Sequence, residues 1–417
     1  MGVTIRAFKA LRPKPDLASK VAALPYDVMN TEEAREMATG NPYSFLHVDK
    51  AEIDLPPDTD PYSNQVYSKA AENLKSLAKT AMLRDEQPNL YIYRLTGYGQ
   101  TQTGLAACVS AAEYELGLIK RHEFTRPDKE QDRINHMEAC EAHTGPIFLA
   151  YRSDESAKPE EIISECIKQT PVYDFTAEDN VRHEMWVISD KTTQDALAAA
   201  FRDISYLYIA DGHHRNATAV KVAHARNEKI TSAGGDLDPN AEHDFYLAVI
   251  FPHSQLKILD YNRVVKDLNG MDKASFLGKL NEGWSIEKSP TPVKPSKKHE
   301  VGMYMSKQWY KLTAKNPPGA DDAIGNLDCS VLQNSLLSPI LGITDPRSDK
   351  RIDFVGGIRG LEELEKRVNS GEMAVAFALF PTSMEELMNV ADKGQIMPPK
   401  STWFEPKLRS GLLVHNF

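Results

Sequence analysis

Apolar positions recur along this chain with two spacings, one typical of helices and one typical of strands. Residues 66–83 repeat apolar side chains every three or four positions, which predicts an amphipathic helix. Short apolar runs between turn residues predict strands over 89–96, 103–115, 145–152, 182–189, 204–210, 243–251 and 373–380, with a hairpin over 301–315. Further helices are predicted over 158–169, 194–203, 327–341, 360–369 and 382–393, and others start near residues 31 and 127.

The order of these elements predicts an α+β fold with mixed sheets and packed helices, because several strands follow one another directly. The chain has 417 residues, which exceeds a single ordinary core. We divide it into an N-terminal α/β part over 1–100, a core over 101–270 and a C-terminal α+β part over 271–417. The last part is expected to end in a tail that folds back on the core.

The composition limits the classes of binding partner and indicates the cellular compartment. A formal net charge of −10 argues against a general nucleic-acid or anionic-membrane binder, since those proteins neutralise phosphate with a basic face. The four cysteines form no CxxC pair, so a thiolate zinc site is not expected, and their scarcity favours the cytoplasm. No apolar run approaches the roughly 20 residues of a membrane helix. We expect a small-molecule substrate, and the composition is compatible with a homo-oligomer.

One apolar run ends in a dense polar turn, within YLYIADGHHRNATAVKVAHA at residues 206–225. A strand is predicted before this turn and a helix directly after it. The first amides of a helix have no internal partner and carry partial positive charge, so such a junction can bind a phosphate. Glycine permits close backbone approach, and arginine can bind phosphate through two hydrogen bonds. The predicted nucleotide-phosphate residues are Gly212, His213, His214 and Arg215.

Asp211 is an acidic residue next to this predicted anion site. A carboxylate disfavours an anion on its own, but it suits a site where it holds Mg²⁺ or orients a hydroxyl towards a phosphate. Asp211 is therefore the predicted catalytic residue and the predicted metal ligand. In the alternative interpretation, Asp211 only caps the helix and the histidines are packed in the core.

The segment RHEFTRPDKEQDRINH, residues 121–136, is a second concentration of charged side chains. Pro127 suits the first position of a helix. A general base has to reach the acceptor hydroxyl, and the loop ahead of this helix can present Glu123, with Glu130 as the second candidate. The predicted substrate-binding residues of this segment are His122, Arg133 and His136. The alternative is a solvated charged helix, and a zinc site is not favoured because HExxH spacing is absent.

The C-terminal stretch PPKSTWFEPKLRSG, residues 398–411, mixes basic, hydroxyl and aromatic side chains. Its prolines restrict the backbone, so the stretch can be held over a site. We predict that it contacts the nucleotide or a substrate carboxylate through Lys400, Ser401, Thr402 and Lys407. The alternative is an extended segment that only packs across a domain.

The pattern Gly-x-His-Arg between a strand and a helix resembles the nucleotide-phosphate turn of the ParB/sulfiredoxin superfamily. The fuller form DGHHR resembles the free L-serine kinases of that superfamily, which phosphorylate serine with ADP or ATP. Nearly the whole chain also resembles a long bacterial family of unknown function, through LRPKP, KVAALPYDV, NPYSFLHV, HEFTRPDKEQDR, GPIFL, ADGHHR and PPKSTWFEPKL. Sulfiredoxin has its reactive cysteine where this chain has His213, so sulfiredoxin chemistry is excluded.

The resemblance implies a ParB/sulfiredoxin-like nucleotide-binding core within residues 101–270. It implies a kinase that uses ATP or ADP with Mg²⁺ and converts free L-serine to O-phospho-L-serine. In this scheme Asp211 is the functional acid, and Gly212, His214 and Arg215 form the phosphate site. Two alternatives stay open: a ParB-like nucleotide-binding switch without kinase activity, and a metal-dependent phosphohydrolase with water as the acceptor.

Overall fold

The computed structural model describes residues 2–153 and 158–417, which form two compact units. Unit 1 comprises Met1–Leu256 and Pro406–Phe417, and unit 2 comprises Lys257–Glu405. These units differ from the three parts expected from the sequence, whose boundaries remain predictions.

The strands are numbered along the chain. The first six are β1 (Ile5–Arg6), β2 (Leu11–Pro13), β3 (Met82–Arg84), β4 (Leu90–Gly97), β5 (Gln100–Ser110) and β6 (Ile119–Lys120). They are followed in unit 1 by β7 (Ala142–His143), β8 (Ile147–Tyr151), β9 (Tyr173–Thr176), β10 (Arg182–Ile188), β11 (Leu207–Asp211) and β12 (Phe245–Pro252). Unit 2 contains β13 (Ile258–Leu259), β14 (Tyr261–Val265), β15 (Trp284–Ser289), β16 (Glu300–Met305), β17 (Gln308–Ala314), β18 (Ile352–Gly356), β19 (Val375–Leu379) and β20 (Trp403–Phe404). Strand β21 (His415–Asn416) belongs to unit 1.

The α-helices are numbered in the same way. Unit 1 contains α1 (Ala18–Val21), α2 (Thr31–Ala38), α3 (Leu46–Asp49), α4 (Asn64–Thr80), α5 (Ala111–Glu115), α6 (Pro127–Cys140), α7 (Lys158–Cys166), α8 (Lys191–Arg202) and α9 (His213–Ser232). Unit 2 contains α10 (Lys273–Gly283), α11 (Asp328–Leu332), α12 (Gly360–Asn369) and α13 (Met384–Asp392).

Unit 1 is built on a nine-stranded sheet in the order β6-β11-β8-β12-β5-β4-β10-β9, with β1 paired to β5. Its pairs are antiparallel except for β6–β11 and β8–β12. Strand β12 reads FYLAVIFP and β8 reads IFLAY, and nearly all of their side chains are buried at consecutive positions. Both faces of the sheet are therefore covered here, which explains why the strands are apolar without alternation.

A helical layer of unit 1 brings the charged segment 121–136 next to α9. Helix α4 buries Val66, Ala70, Leu74 and Leu77, which recur at helical spacing on one face. Helix α6, which contains most of the charged segment, packs against both α4 and α9. Helix α9 also contacts β8 and β12. The charged helix is therefore a structural neighbour of the DGHHR turn.

Unit 2 has its own sheet and core. Its six strands are antiparallel in the order β15-β17-β16-β19-β14-β18. Helix α12 packs on β14, β16, β18 and β19, and the buried core includes Val264, Trp309, Leu364 and Ala376. Within the described residues, no helix has the length and apolar character to cross a membrane.

The predicted α+β class is confirmed, with several sheets and packed helices. Two predicted elements are wrong in their extent. The strand predicted over 103–115 ends at Ser110, because Ala111–Glu115 forms the short helix α5. The helix predicted over 327–341 is α-helical only over Asp328–Leu332 and then forms a π-helix over Gln333–Leu337. Apolar spacing alone does not distinguish these alternatives in short segments.

The last residues of the chain pack onto unit 1. Strand β21 pairs with β7, and Val414 and Leu11 exchange two backbone hydrogen bonds of 2.9 Å. Gly411 has a φ of +83°, and a Cβ atom at this position would lie 2.5 Å from Cγ of Phe45. The close approach of the tail to Phe45 therefore requires glycine.

We expect Gly411→Ala to lower the free energy of unfolding of the protein by about 2–4 kcal/mol, combining left-handed backbone strain with overpacking against Phe45. Urea denaturation followed by circular dichroism measures this change. Gly117→Ala is the matched control, since Gly117 has a φ of +75° but no atom within 4 Å of its Cβ position. An equal loss in both variants would contradict the packing role of Gly411.

Candidate functional site

Strand β11 leads into helix α9 through a single glycine, in the strand-turn-helix order predicted from the sequence. Gly212 has φ 90° and ψ 31°, where any other residue costs about 1–2 kcal/mol. The amide of Asn216 donates to the carbonyl of Gly212 at 2.9 Å and closes the first helical turn. The backbone amides of His213, His214 and Arg215 have no helical carbonyl partner, and Gly212 at the N-cap position has no side chain to cap them.

Asp211 forms an ion pair with Lys407 of the C-terminal tail. Its Oδ2 accepts a hydrogen bond from Lys407 Nζ at 2.7 Å, and its Oδ1 accepts one from the Gly212 amide at 2.8 Å. Burial alone would raise the pKa of Asp211, but the charge and hydrogen bond of Lys407, helped by Arg215, hold it well below its ordinary value. The side chain is still 32% exposed, so a ligand can approach it.

These contacts bear on the predicted metal role of Asp211. Both carboxylate oxygens already accept hydrogen bonds, and Lys407 places a positive charge where a cation would have to lie. The arrangement does not fit a resident Mg²⁺ ion on Asp211. That role stays a prediction which the contacts do not favour. The helix-capping alternative is not favoured either, because Gly212 occupies the N-cap position and no side chain caps the helix.

Arg215 is the third residue of α9 and reaches back towards the start of β8. Its Nη1 donates to the carbonyl of Pro146 at 2.8 Å, and a Cβ atom on Gly145 would lie 3.1 Å from the same nitrogen. Burial opposes the charge of Arg215, but Asp27, Tyr26 and Asp211 raise its pKa above its ordinary value. The guanidinium is therefore a fixed positive charge, and its Nε has no hydrogen-bond partner among the described residues.

A cleft next to Arg215 brings together several residues predicted for the site. It is lined by Tyr26, Asp49, Arg133, His136, Met137, Ala142, His143, Thr144, Gly145, Ile147 and Arg215. Its empty space is about 410 Å³, including the part open to solvent. The cleft is open to solvent on one side, so a ligand can enter it from there.

The two predicted substrate residues of α6 have different surroundings in this cleft. Arg133 pairs with Asp132 at 2.8 Å, and its guanidinium lies 4.0 Å from the ring centroid of Tyr26. Burial opposes the charge of Arg133, but Tyr26 and Asp132 raise its pKa. His136 Nε2 donates a hydrogen bond to the carbonyl of Val48 at 2.9 Å. Arg133 and Arg215 therefore give the cleft two permanent positive charges.

The two histidines of the turn have different partners. His214 Nε2 accepts a hydrogen bond from the Arg126 amide at 3.0 Å, so it connects α9 to the loop before α6. His213 is 6% exposed and packs edge-to-face against His122, with ring centroids 4.5 Å apart. Burial lowers the pKa of His122 to about 4, so its imidazole is neutral near pH 7.

The two candidate bases occupy different positions. Glu123 is about half exposed, and its Oε2 lies 3.7 Å from Nδ1 of His213. Glu130 is buried and forms an ion pair with Lys221 of α9. Burial alone would raise the pKa of the Glu130 carboxyl group, but the hydrogen bond and charge of Lys221 lower it below its ordinary value. Glu123 is thus the carboxylate next to the turn, and Glu130 connects two helices.

The remaining tail residues predicted for the site belong to unit 2. Lys400 Nζ lies 5.7 Å from the ring centroid of Tyr261, and Ser401 Oγ donates to the carbonyl of Pro398 at 2.6 Å. Thr402 follows them in the same unit. A nucleotide or substrate role for these three residues stays a prediction, whereas Lys407 lies in unit 1 on Asp211.

Sequence reasoning assigned no role to several side chains of the cleft. Asp49 accepts a hydrogen bond from Thr144 Oγ1 at 2.8 Å, and Tyr26 packs on Arg133. Tyr26 lies within KVAALPYDV, and Thr144 comes directly before GPIFL. These two motifs were the only features of the sequence that could have indicated a role for Tyr26 and Thr144. Neither motif contains the cluster of charged residues that usually indicates a catalytic site.

We expect Lys407→Met to lower the free energy of unfolding at pH 7 by about 1–3 kcal/mol. This range lies between the stabilities measured for exposed and for buried ion pairs, because the Asp211 side chain is only partly exposed. Because the pKa of Asp211 is depressed in the folded state, this stability is present above the pKa of an unfolded aspartate. It is lost as the pH falls through the folded pKa. Urea denaturation at neutral and acidic pH measures both effects.

The control for this variant is Lys191→Met, which removes an exposed lysine paired with Asp195 on α8. We expect it to change the unfolding free energy by less than about 0.5 kcal/mol. Adding Asp211→Asn to Lys407→Met should recover part of the lost stability, because no unpaired carboxylate remains. Equal effects of the two lysine variants would contradict the importance of the Lys407 pair.

Comparisons with solved structures give low similarity. A free serine kinase in complex with AMP matches with 14% identity and a TM-score of 0.34, covering 72% of this chain and 89% of that chain. A conserved hypothetical protein from Pyrococcus furiosus matches with 15% identity and a TM-score of 0.33, covering 72% and 92%. C-terminally truncated SbnI from Staphylococcus aureus matches with 12% identity and a TM-score of 0.36, covering 74% and 86%.

A search of curated proteins found no match. A family profile described as a protein of unknown function, DUF1015, matches residues 5–330. The match covers most of the chain, including the DGHHR turn and the segment 121–136. The expected membership in a long family of unknown function is thereby confirmed, and the chain belongs to the DUF1015 family.

Proposed function

We propose that this protein is a nucleotide-dependent kinase of a small molecule, with free L-serine as acceptor and O-phospho-L-serine as product. The observation that carries the proposal is the anionic Asp211, held by Lys407 at the N-terminus of α9 and next to the Arg215 guanidinium. The nine-stranded sheet with α9 would be the ParB/sulfiredoxin-like core that the sequence resembles.

The first turn of α9 is suited to the transferred phosphoryl group. The amides of His213, His214 and Arg215 lie at the positive end of a twenty-residue helix. Arg215 adds a permanent charge, and its Nε is without a partner. Charge on the oxygens of the phosphoryl group is what a phosphotransferase has to stabilise.

The cleft is suited to an acceptor that carries a carboxylate. Arg133 and Arg215 line it and provide donors for the carboxylate of an amino acid. Asp49 lines the same cleft and can accept from the ammonium group. A zwitterion such as serine would thus find both of its charges matched.

In the proposed reaction the serine hydroxyl oxygen attacks the terminal phosphorus of ATP or ADP. The bond from this phosphorus to the bridging oxygen breaks, and ADP or AMP leaves. Asp211, which is ionised, orients the hydroxyl by accepting its hydrogen bond. The proton passes to a carboxylate, for which Glu123 lies nearer the turn than the paired Glu130. Mg²⁺ enters with the nucleotide as part of the co-substrate.

The test is to incubate the full chain with Mg²⁺, L-serine and either ATP or ADP, and to measure O-phosphoserine by mass spectrometry. We expect the wild type to form O-phosphoserine and Asp211→Asn to form none above background. The nucleotide affinity of Asp211→Asn should change by less than about tenfold, because the contacts to the phosphates remain. Arg215→Ala should weaken nucleotide binding by about tenfold or more, the worth of a hydrogen bond to a charged group.

Arg226→Ala is the control for Arg215→Ala, because Arg226 is on α9 but pairs with Glu138. It should leave nucleotide binding unchanged. Full activity of Asp211→Asn would contradict the proposed role of the acid. Nucleotide hydrolysis without phosphoserine would favour the phosphohydrolase, and binding without turnover would favour the switch.

A further inference from the structure

Three side chains of metal-ligand type converge on one side of the DGHHR turn. One nitrogen each of His122 and His213 and one carboxylate oxygen of Glu123 all lie within 4.8 Å of one another. Among the described residues, no other group of three or more histidine, cysteine, aspartate or glutamate side chains comes together in this way. Two of its members belong to the charged loop before α6, and the third is the first residue of α9.

The two imidazoles are buried, and three of their four ring nitrogens make no hydrogen bond of normal geometry with any described residue. His122 is 2% exposed and His213 is 6% exposed. Neither ring nitrogen of His122 makes a hydrogen bond of normal geometry, although one of them faces the backbone of Ile209, and Nε2 of His213 has none either. Buried polar atoms are nearly always satisfied, because an unsatisfied one loses its hydration without compensation. A ligand bound to His122 would supply the partner that its buried ring lacks.

We infer that His122, Glu123 and His213 bind a divalent first-row transition-metal ion. Two imidazoles and one carboxylate are a ligand set used for zinc and for non-haem iron, with further positions open to water or substrate. Imidazole does not suit Mg²⁺, which prefers oxygen ligands. This ion is therefore distinct from any magnesium that accompanies a nucleotide.

The separations are close to those that such an ion requires. Ligand atoms about 2.0–2.2 Å from a metal ion lie roughly 3.0–3.5 Å from one another. The distance from His213 Nδ1 to Glu123 Oε2 is 3.7 Å, so this pair needs to move by only a few tenths of an ångström. The His122 nitrogen lies within 4.8 Å of the other two ligand atoms, so a small rotation of its side chain would complete the site.

The surrounding charges are mixed. The positive end of α9 and the charge of the nearby Arg121 oppose a cation. Glu123 and Asp211 carry the compensating negative charges, and Asp211 acts on both His122 and His213. A bound ion would tie the loop before α6 to the first turn of α9, where His214 and the Arg126 amide already meet.

This inference goes beyond the proposed kinase activity and assigns Glu123 differently. A carboxylate bound to a metal ion is a weak base, so a ligand role for Glu123 leaves the proton to another group. Metal binding can be measured without turnover. The metal site and the kinase can therefore fail independently of each other.

The experiment treats the full chain with a chelator, removes the chelator, and titrates Co²⁺ while recording visible absorption and metal content. We expect about one Co²⁺ per chain, a d–d absorption band, and displacement of the ion by Zn²⁺. His122→Gln, His213→Gln and Glu123→Gln should each weaken Co²⁺ binding by at least about tenfold. His224→Ala is the control, since His224 is also on α9 but pairs with Glu115 and is half exposed.

Circular dichroism shows which variants are folded. If a buried histidine variant does not fold, Glu123→Gln carries the comparison, because that side chain is 46% exposed. Wild-type protein that binds no stoichiometric Co²⁺ would overturn the inference. Equal Co²⁺ affinity in the wild type and in the folded Glu123→Gln and histidine variants would also overturn it.

Discussion

The ion pair between Lys407 and Asp211 joins the C-terminal tail to the turn that opens α9. The pair is 2.7 Å long and holds Asp211 as a carboxylate at the positive end of a helix, next to the Arg215 guanidinium. A negative charge is thereby fixed beside a surface suited to anions. This combination is unfavourable for simple anion storage, but it is useful where a hydroxyl must be oriented against a phosphate.

The tail that supplies Lys407 is held in place along its length. Arg409 pairs with Asp179, Gly411 packs against Phe45, and Val414 exchanges hydrogen bonds with Leu11. On the other side of the turn, Gly145 and Pro146 fix Arg215 and open onto the cleft with Arg133. The C-terminal tail therefore positions the Asp211 carboxylate, whereas Pro146 holds Arg215, and Asp132 and Tyr26 hold Arg133.

The sequence predicted the parts of this site that depend on local pattern. An apolar run followed by glycine and helical spacing predicted the β11–α9 turn, and Pro127 predicted the start of α6. The sequence did not predict contacts between segments that are far apart along the chain. No spacing rule connects Lys407 with Asp211, or Asp49 with Thr144. Likewise, a short apolar stretch did not distinguish the end of β5 from helix α5, since tertiary packing decides such cases.

A crystal structure of the protein with bound ADP and Mg²⁺ would show whether the first turn of α9 binds the nucleotide phosphate beside an ionised Asp211. We expect the terminal phosphate to lie within about 3 Å of the amides of His213 to Arg215 and of the Arg215 guanidinium. Nucleotide phosphates bound away from this turn, with the Asp211 and Lys407 pair undisturbed, would contradict this expectation.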